Sequence, residues 1–251
     1  MDAERVRIET DAGVAVVRMV RAAKHNGLDW RMFVALNEAI DSLGGVDDLR
    51  AVVLTGEGPS FCAGLDIASF AAGDGELTGA GLERAAGEIA NRAQRVAYGW
   101  RQLAVPVIAA LRGACFGGGL QIALAADLRI AEPDTRLSVM EIEYGLIPDM
   151  SLSQTLLRLV RDDVARELVY SGRIVEATEA RELGLITRIE ADAQAAAIAL
   201  AAGIAERSPA AIRSAKRLLN ESAELGAAEA LALETELQRG LLDPAQMRQS
   251  S

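Results

Sequence analysis

Apolar positions in this chain fall either into short unbroken runs, which suit buried strands, or into spaced sets, which suit helix faces. Val6 to Thr10 and Val14 to Met19 read as strands joined by Asp11-Ala12-Gly13, a turn-forming sequence that predicts an opening hairpin. Asp29 then precedes Met32, Phe33, Leu36, Ile40 and Leu43 at helical spacing, and Gly44-Gly45 closes that helix. The wholly apolar run Ala51-Val52-Val53-Leu54 suits a strand covered on both faces, and it stops at the loop signal Thr55-Gly56-Glu57-Gly58-Pro59.

Ala71 to Gly81 is glycine-rich and weakly patterned, and reads as a mobile loop ahead of a long helix from about Leu82 to Leu103. Pro106 ends that helix and opens a second apolar strand, Val107 to Leu111. After Gly113 to Gly119 come a helix (Leu120 to Ala126), a strand at Leu128 to Ala131 and another at Leu137 to Met140. From Ser151 onward the pattern is helical, apart from the apolar piece Leu185 to Ile189. Ser151 with Gln154 matches a Ser-x-x-Gln capping box, and Ser208-Pro209 puts proline in the first turn of a later helix. Recurring strand, helix and strand predict an α/β fold, with a body over residues 1–195 and a C-terminal helical segment over 196–251.

Composition sharpens this picture. Of 251 residues, 51% are apolar, 25% charged and only 4% aromatic, so the interior must be aliphatic and alanine-rich. A net charge of -10 and a pI near 4.8 oppose binding to nucleic acid or to an anionic membrane surface. An anionic ligand can still be received by a local group of Lys and Arg. The two cysteines, Cys62 and Cys115, are far apart and read as small buried thiols rather than a disulfide framework. The start MDAERVRIET lacks a signal-peptide pattern, and no apolar run approaches the roughly 18 residues that span a bilayer, so a cytoplasmic location is expected.

The chemistry concentrates where a buried strand meets a glycine-rich turn, in Ser60-Phe61-Cys62-Ala63-Gly64-Leu65-Asp66 and in Arg112-Gly113-Ala114-Cys115-Phe116-Gly117-Gly118-Gly119-Leu120. Each leaves N–H groups at a strand end, and the second also opens a helix whose positive end favours developing negative charge. Two such donors aimed at one point make an oxyanion hole. Neither segment has the GxxxxGK[ST] or GxGxxG spacing of a nucleotide phosphate loop. The lone histidine, His25, is remote from any nucleophile in sequence, which disfavours a hydrolase triad.

Several segments in order resemble the enoyl-CoA hydratase/isomerase (crotonase) superfamily: Phe61 to Ile67, Gly113 to Gly119, Ala125-Ala126-Asp127-Leu128-Arg129-Ile130-Ala131 and Gly145-Leu146-Ile147-Pro148. Lys24-His25-Asn26-Gly27-Leu28, Tyr170-Ser171-Gly172-Arg173 and Ser208-Pro209 leading to Ala215-Lys216-Arg217 support the likeness, which covers nearly the whole chain. The resemblance implies a ββα spiral core, a homotrimeric or homohexameric assembly, and an acyl-CoA thioester substrate with no metal and no cofactor beyond its CoA portion. It also implies that the N–H groups of Leu65 and Gly118 hold the thioester oxygen. Lys24, His25, Ala63, Gly64 and Asp66 would lie along the CoA, with Lys216 or Arg217 a candidate phosphate partner.

Hydratases of this family use two glutamates, and here the first falls at Gln121. An amide can orient water but cannot accept its proton, which argues against hydration. The second falls at Glu141, where a single carboxylate can take a proton from one carbon and return it to another. Asp149 stands where dienoyl-CoA isomerases carry an aspartate; it would either pair with Glu141 or serve only the turn before the helix at Ser151. The resemblance therefore implies double-bond isomerisation of an enoyl- or dienoyl-CoA. The alternatives are a hydratase working through Glu141 alone and a non-catalytic acyl-CoA-binding protein.

Overall fold

The computed structural model describes residues 4–71 and 81–242. Strands β1 (Val6–Asp11) and β2 (Val14–Met19) form the opening antiparallel hairpin, and helix α1 (Trp30–Gly44) follows. The Asp29 carboxylate caps α1 by accepting from Met32 N–H at 2.9 Å. Next come β3 (Ala51–Gly56), the short helix α2 (Ile67–Ala71), helix α3 (Arg92–Gln102), β4 (Val107–Leu111) and β5 (Ala114–Phe116). Helix α4 (Gly118–Ala125), β6 (Leu128–Ala131), β7 (Arg136–Ser138), and short helices at Glu141–Tyr144 and, as α5, Leu152–Thr155 complete the region of interest. The remainder is α6 (Asp162–Ser171), β8 (Val175–Glu176), α7 (Ala177–Leu183), β9 (Arg188–Ile189), α8 (Ala193–Ala205), α9 (Pro209–Glu221) and α10 (Ala227–Leu241).

A six-stranded sheet in the order β1-β2-β3-β4-β6-β9 forms the body, parallel except for the hairpin, and a three-stranded sheet in the order β5-β7-β8 forms a second layer. Strand periodicity sorts the core. Val52 and Leu54 of β3, with Val107, Ala109 and Leu111 of β4, face the main cluster beneath α1, α3 and α4. Their neighbours Ala51, Val53, Ile108 and Ala110 face a second cluster under α8. The alanine stripe Ala193, Ala197 and Ala201 of α8 is fully packed there, so the helix lies close to the sheet. Residue 195, where the composition divides the chain, falls inside α8.

The structure corrects four local readings. The helix expected from about Leu82 begins only at Arg92, because Asn91 and Gln94 form a reciprocal capping box, with bonds of 2.8 and 3.0 Å. Of the segment Ala71 to Gly81 before it, residues 72–80 lie outside the described residues. The strand at Leu137 to Met140 is shorter, ending at Ser138, whose hydroxyl donates to the Gly172 carbonyl at 2.6 Å. Ser151 forms no capping box: it sits in the left-handed region with φ 70°, and its hydroxyl has no partner among the described residues. The apolar piece Leu185 to Ile189 pairs as strand only at Arg188–Ile189.

The α8–sheet contact leaves no room for growth. Ala197→Leu is expected to cost about 1–3 kcal/mol by overpacking, lowering Tm by several degrees, whereas Ala199→Leu on the exposed face should stay within about 0.5 kcal/mol. Thermal melts of the two variants check this.

Candidate active site

Because β3 and β4 run parallel and adjacent, the chain leaves both at the same edge of the sheet. Buried Asn26 shapes the first exit, donating from Nδ2 to the carbonyls of Glu57, Ser60 and Phe61 at 3.0, 2.8 and 3.1 Å. Residues 62–65 then lie alongside β5: Cys62 N–H donates to Ala114 O at 3.1 Å and Phe116 N–H to Cys62 O at 3.0 Å. On the other side Leu28 N–H donates to Gly64 O at 2.8 Å, and Asp66 N–H to Leu28 O at 3.0 Å. These bonds use the residues on either side of Leu65 and pass over its own N–H.

The second exit runs through β5 into α4, whose first intrahelical bond is Gln121 N–H to Gly117 O at 3.0 Å, so Gly118 N–H precedes the ladder. Among the described residues neither the Leu65 nor the Gly118 N–H has a hydrogen-bond acceptor, and both residues line one pocket of about 360 Å³. Glycine makes the approach of the two segments possible. A Cβ on Gly119 would stand 2.4 Å from the Cys62 carbonyl oxygen, and one on Gly64, at φ +88°, 2.8 Å from that of Phe116.

Glu141, Gln121 and Asp149 line the same pocket. Glu141 opens the short helix after β7, and its carboxylate lies against Gly117, with Oε1 3.3 Å from where a Cβ on that residue would stand. Gln121 projects from α4, is fully buried, and is bonded at both ends: Nε2 donates to Glu141 Oε1 at 2.6 Å and Oε1 accepts from Met150 N–H at 2.8 Å. Oε2 of Glu141 is buried and has no partner among the described residues. Burial pushes the Glu141 pKa above the usual carboxylate range; its own backbone N–H and Gln121 pull the other way, and the charge of Asp149 adds to the rise. Asp149, an exposed residue at the pocket rim, also has a raised pKa, through the partial burial of its carboxyl.

Of the residues placed along the CoA by resemblance, Ala63 and Gly64 line the pocket while Lys24, His25 and Asp66 lie outside its lining. Lys24 and His25 are exposed, and His25 Nδ1 shares a hydrogen bond with Ser60 Oγ at 2.9 Å. Asp66 pairs with Arg21 at 2.7 Å, in a network that continues to Asp29 and Arg5. Burial pushes the Asp66 carboxyl up, but the Arg21 guanidinium and Ser69 outweigh it and hold the pKa below the usual range. Lys216 is buried and serves the fold, paired with Asp127 at 2.8 Å and donating to Val105 O at 2.8 Å, while exposed Arg217 binds Glu221 and Glu236. Cys62 and Cys115 are buried free thiols facing each other across the loop and β5, and burial pushes Cys62 up to about 12, so it remains a thiol at neutral pH. Sequence reasoning missed the Arg21–Asp66 clamp and the Met150 N–H, since nothing local in the sequence marks either pairing.

A carboxylate thus shares one largely apolar pocket, at the ends of parallel strands, with two backbone N–H groups that have no acceptor among the described residues. The chain belongs to the enoyl-CoA hydratase/isomerase family, whose model matches residues 9–251. It is 31% identical over 233 residues to methylglutaconyl-CoA hydratase, mitochondrial, of Homo sapiens, spanning 90% of this chain and 66% of that one. It is 29% identical to the peroxisomal Delta(3,5)-Delta(2,4)-dienoyl-CoA isomerase of Arabidopsis thaliana, over 91% of this chain and 84% of that one. The crystal structure of enoyl-CoA hydratase from Bacillus anthracis superposes with a TM-score of 0.87 at 28% identity, covering 95% of this chain and 91% of that one. The fold is therefore the crotonase fold, and the chain is an acyl-CoA enzyme of this family.

The raised pKa of Glu141 has a thermodynamic consequence. Between the ordinary glutamate value and the raised one, the folded state holds the proton and the unfolded state releases it, so stability declines as pH rises through that window. Glu141→Gln is therefore expected to raise Tm at neutral pH, with the gain vanishing in acid, where Glu141 is itself protonated. Melts of both proteins across pH check the sign.

Proposed function

We propose that this enzyme shifts a double bond in an enoyl- or dienoyl-CoA thioester through an enolate. In this reading Leu65 and Gly118 N–H form the oxyanion hole, Glu141 removes the proton beside the thioester and Asp149 is its acid partner. An α-proton becomes removable when the enolate oxygen is stabilised as it forms, and one such donor is worth roughly 10²–10³ in rate. Raised pKa values on Glu141 and Asp149 bring both carboxyls closer to the range in which a group both accepts and returns a proton.

The observation that carries the choice of reaction is the double bonding of Gln121. Hydration across a double bond calls for a base to deprotonate water opposite the group that serves the α-carbon. Gln121 is an amide with no proton affinity, and both its ends are engaged. Glu141 and Asp149 remain as the two carboxylates of the pocket lining, which suits proton relocation within one substrate. The exposed leucines Leu219, Leu231 and Leu242 of the C-terminal helices and the residue after them support the expected self-association into trimers or hexamers.

The test is a paired assay of thioester absorbance with crotonyl-CoA and with a 3-enoyl- or 3,5-dienoyl-CoA, on the native enzyme and on Gln121→Glu. The native enzyme should isomerise and barely hydrate, and the variant, with a carboxylate restored beside Glu141, should gain hydration. Efficient hydration by the native enzyme would overturn the reading in favour of a hydratase. Binding of the esters with no turnover of any would favour a non-catalytic acyl-CoA binder.

A further inference from the structure

The reading of the site as an acyl-CoA pocket leaves open which acyl groups enter it, and the charge of the lining bears on this directly. Besides Glu141 and Asp149 the lining is largely hydrocarbon, with Phe33 of α1, Ile67 and Phe70 of α2, and Leu82 ahead of α3. Leu146 and Ile147 also line it. Ile147 is 74% exposed and Leu82 47% exposed, so large apolar side chains stand open to water around this pocket. Among the described residues the lining contains no Lys, Arg or His, and its two charged residues, Glu141 and Asp149, are both acids.

From this we infer that the pocket takes uncharged hydrocarbon acyl chains and rejects acyl-CoA esters that carry a second carboxylate at the far end of the acyl group. Such a carboxylate would lose its hydration against Phe33, Ile67 and Phe70 with no cation among the described lining residues to receive it. It would also share the cavity with two acidic side chains, and like charges in a partly desolvated site repel far more than in water. A hydrocarbon tail meets neither penalty and gains by covering the exposed leucine and isoleucine. The acidic pair thus serves two ends: it moves protons at the reacting carbons and it filters the substrate by charge.

The experiment is a calorimetric comparison of CoA, octanoyl-CoA and the monothioester octanedioyl-CoA, none of which has a double bond to react. Octanoyl-CoA is expected to bind more tightly than CoA, and octanedioyl-CoA about tenfold or more weaker than octanoyl-CoA. Asp149→Asn, at an exposed position, should narrow that gap by removing one of the repelling charges. Equal or tighter binding of octanedioyl-CoA, or a gap unchanged in Asp149→Asn, would overturn the charge filter while leaving the acyl-CoA reading intact. Octanoyl-CoA binding no better than CoA would overturn both.

Discussion

Two backbone N–H groups, of Leu65 and Gly118, stand without acceptors among the described residues beside one apolar pocket, and most of the surrounding structure can be understood as what keeps them so. Most backbone N–H groups in a fold find a partner, so two left without one in the same pocket call for interactions that fix the backbone around them. Here parallel β3 and β4 release their chains side by side, and the ladder of Cys62 with β5 and the bridge of Leu28 to Gly64 and Asp66 set the loop on both flanks. Buried Asn26 and the Arg21–Asp66 ion pair hold the loop from behind. In the proposed mechanism the donors are thus in position before any substrate arrives, and no reorganisation is needed as charge develops.

The second constraint is the way Gln121 divides its amide. Its nitrogen serves Glu141 and its oxygen serves Met150 N–H, so one side chain joins α4, the short helix after β7 and the turn before α5. That bonding leaves one Glu141 oxygen partnered and the other buried with no partner among the described residues, the oxygen that acts on the substrate in the proposed mechanism. In the proposed function the same feature argues against hydration, because Gln121 offers a fixed amide and no second base. The chain belongs to a family whose model is described as enoyl-CoA hydratase/isomerase, and in the proposed function Gln121 is the residue that favours isomerisation.

Much of this was legible in the sequence where the constraint is local. The glycines at 64 and 117–119 and the buried runs Ala51 to Leu54 and Val107 to Leu111 mark positions where backbones approach or strands are covered on both faces, and such demands restrict residue type directly. Signals that compete are harder. Ser151-x-x-Gln154 and Asn91-x-x-Gln94 both match a capping box, and only the second forms, because Ser151 is drawn into a left-handed turn while Asn91 is free to start α3. Long-range pairings had no signature: Lys216 is consumed by Asp127, and Gln121 by partners 20 and 29 residues away. The charge of the pocket lining likewise emerged only once distant segments were brought together.

The central claim is that the Leu65 and Gly118 amides converge on a single oxygen. Infrared spectroscopy of octanoyl-CoA labelled with carbon-13 at the thioester carbonyl tests it without any turnover. Two hydrogen bonds to that oxygen predict a carbonyl stretch shifted to lower frequency in the complex than in water; an unshifted or higher frequency for the bound ester would contradict the account.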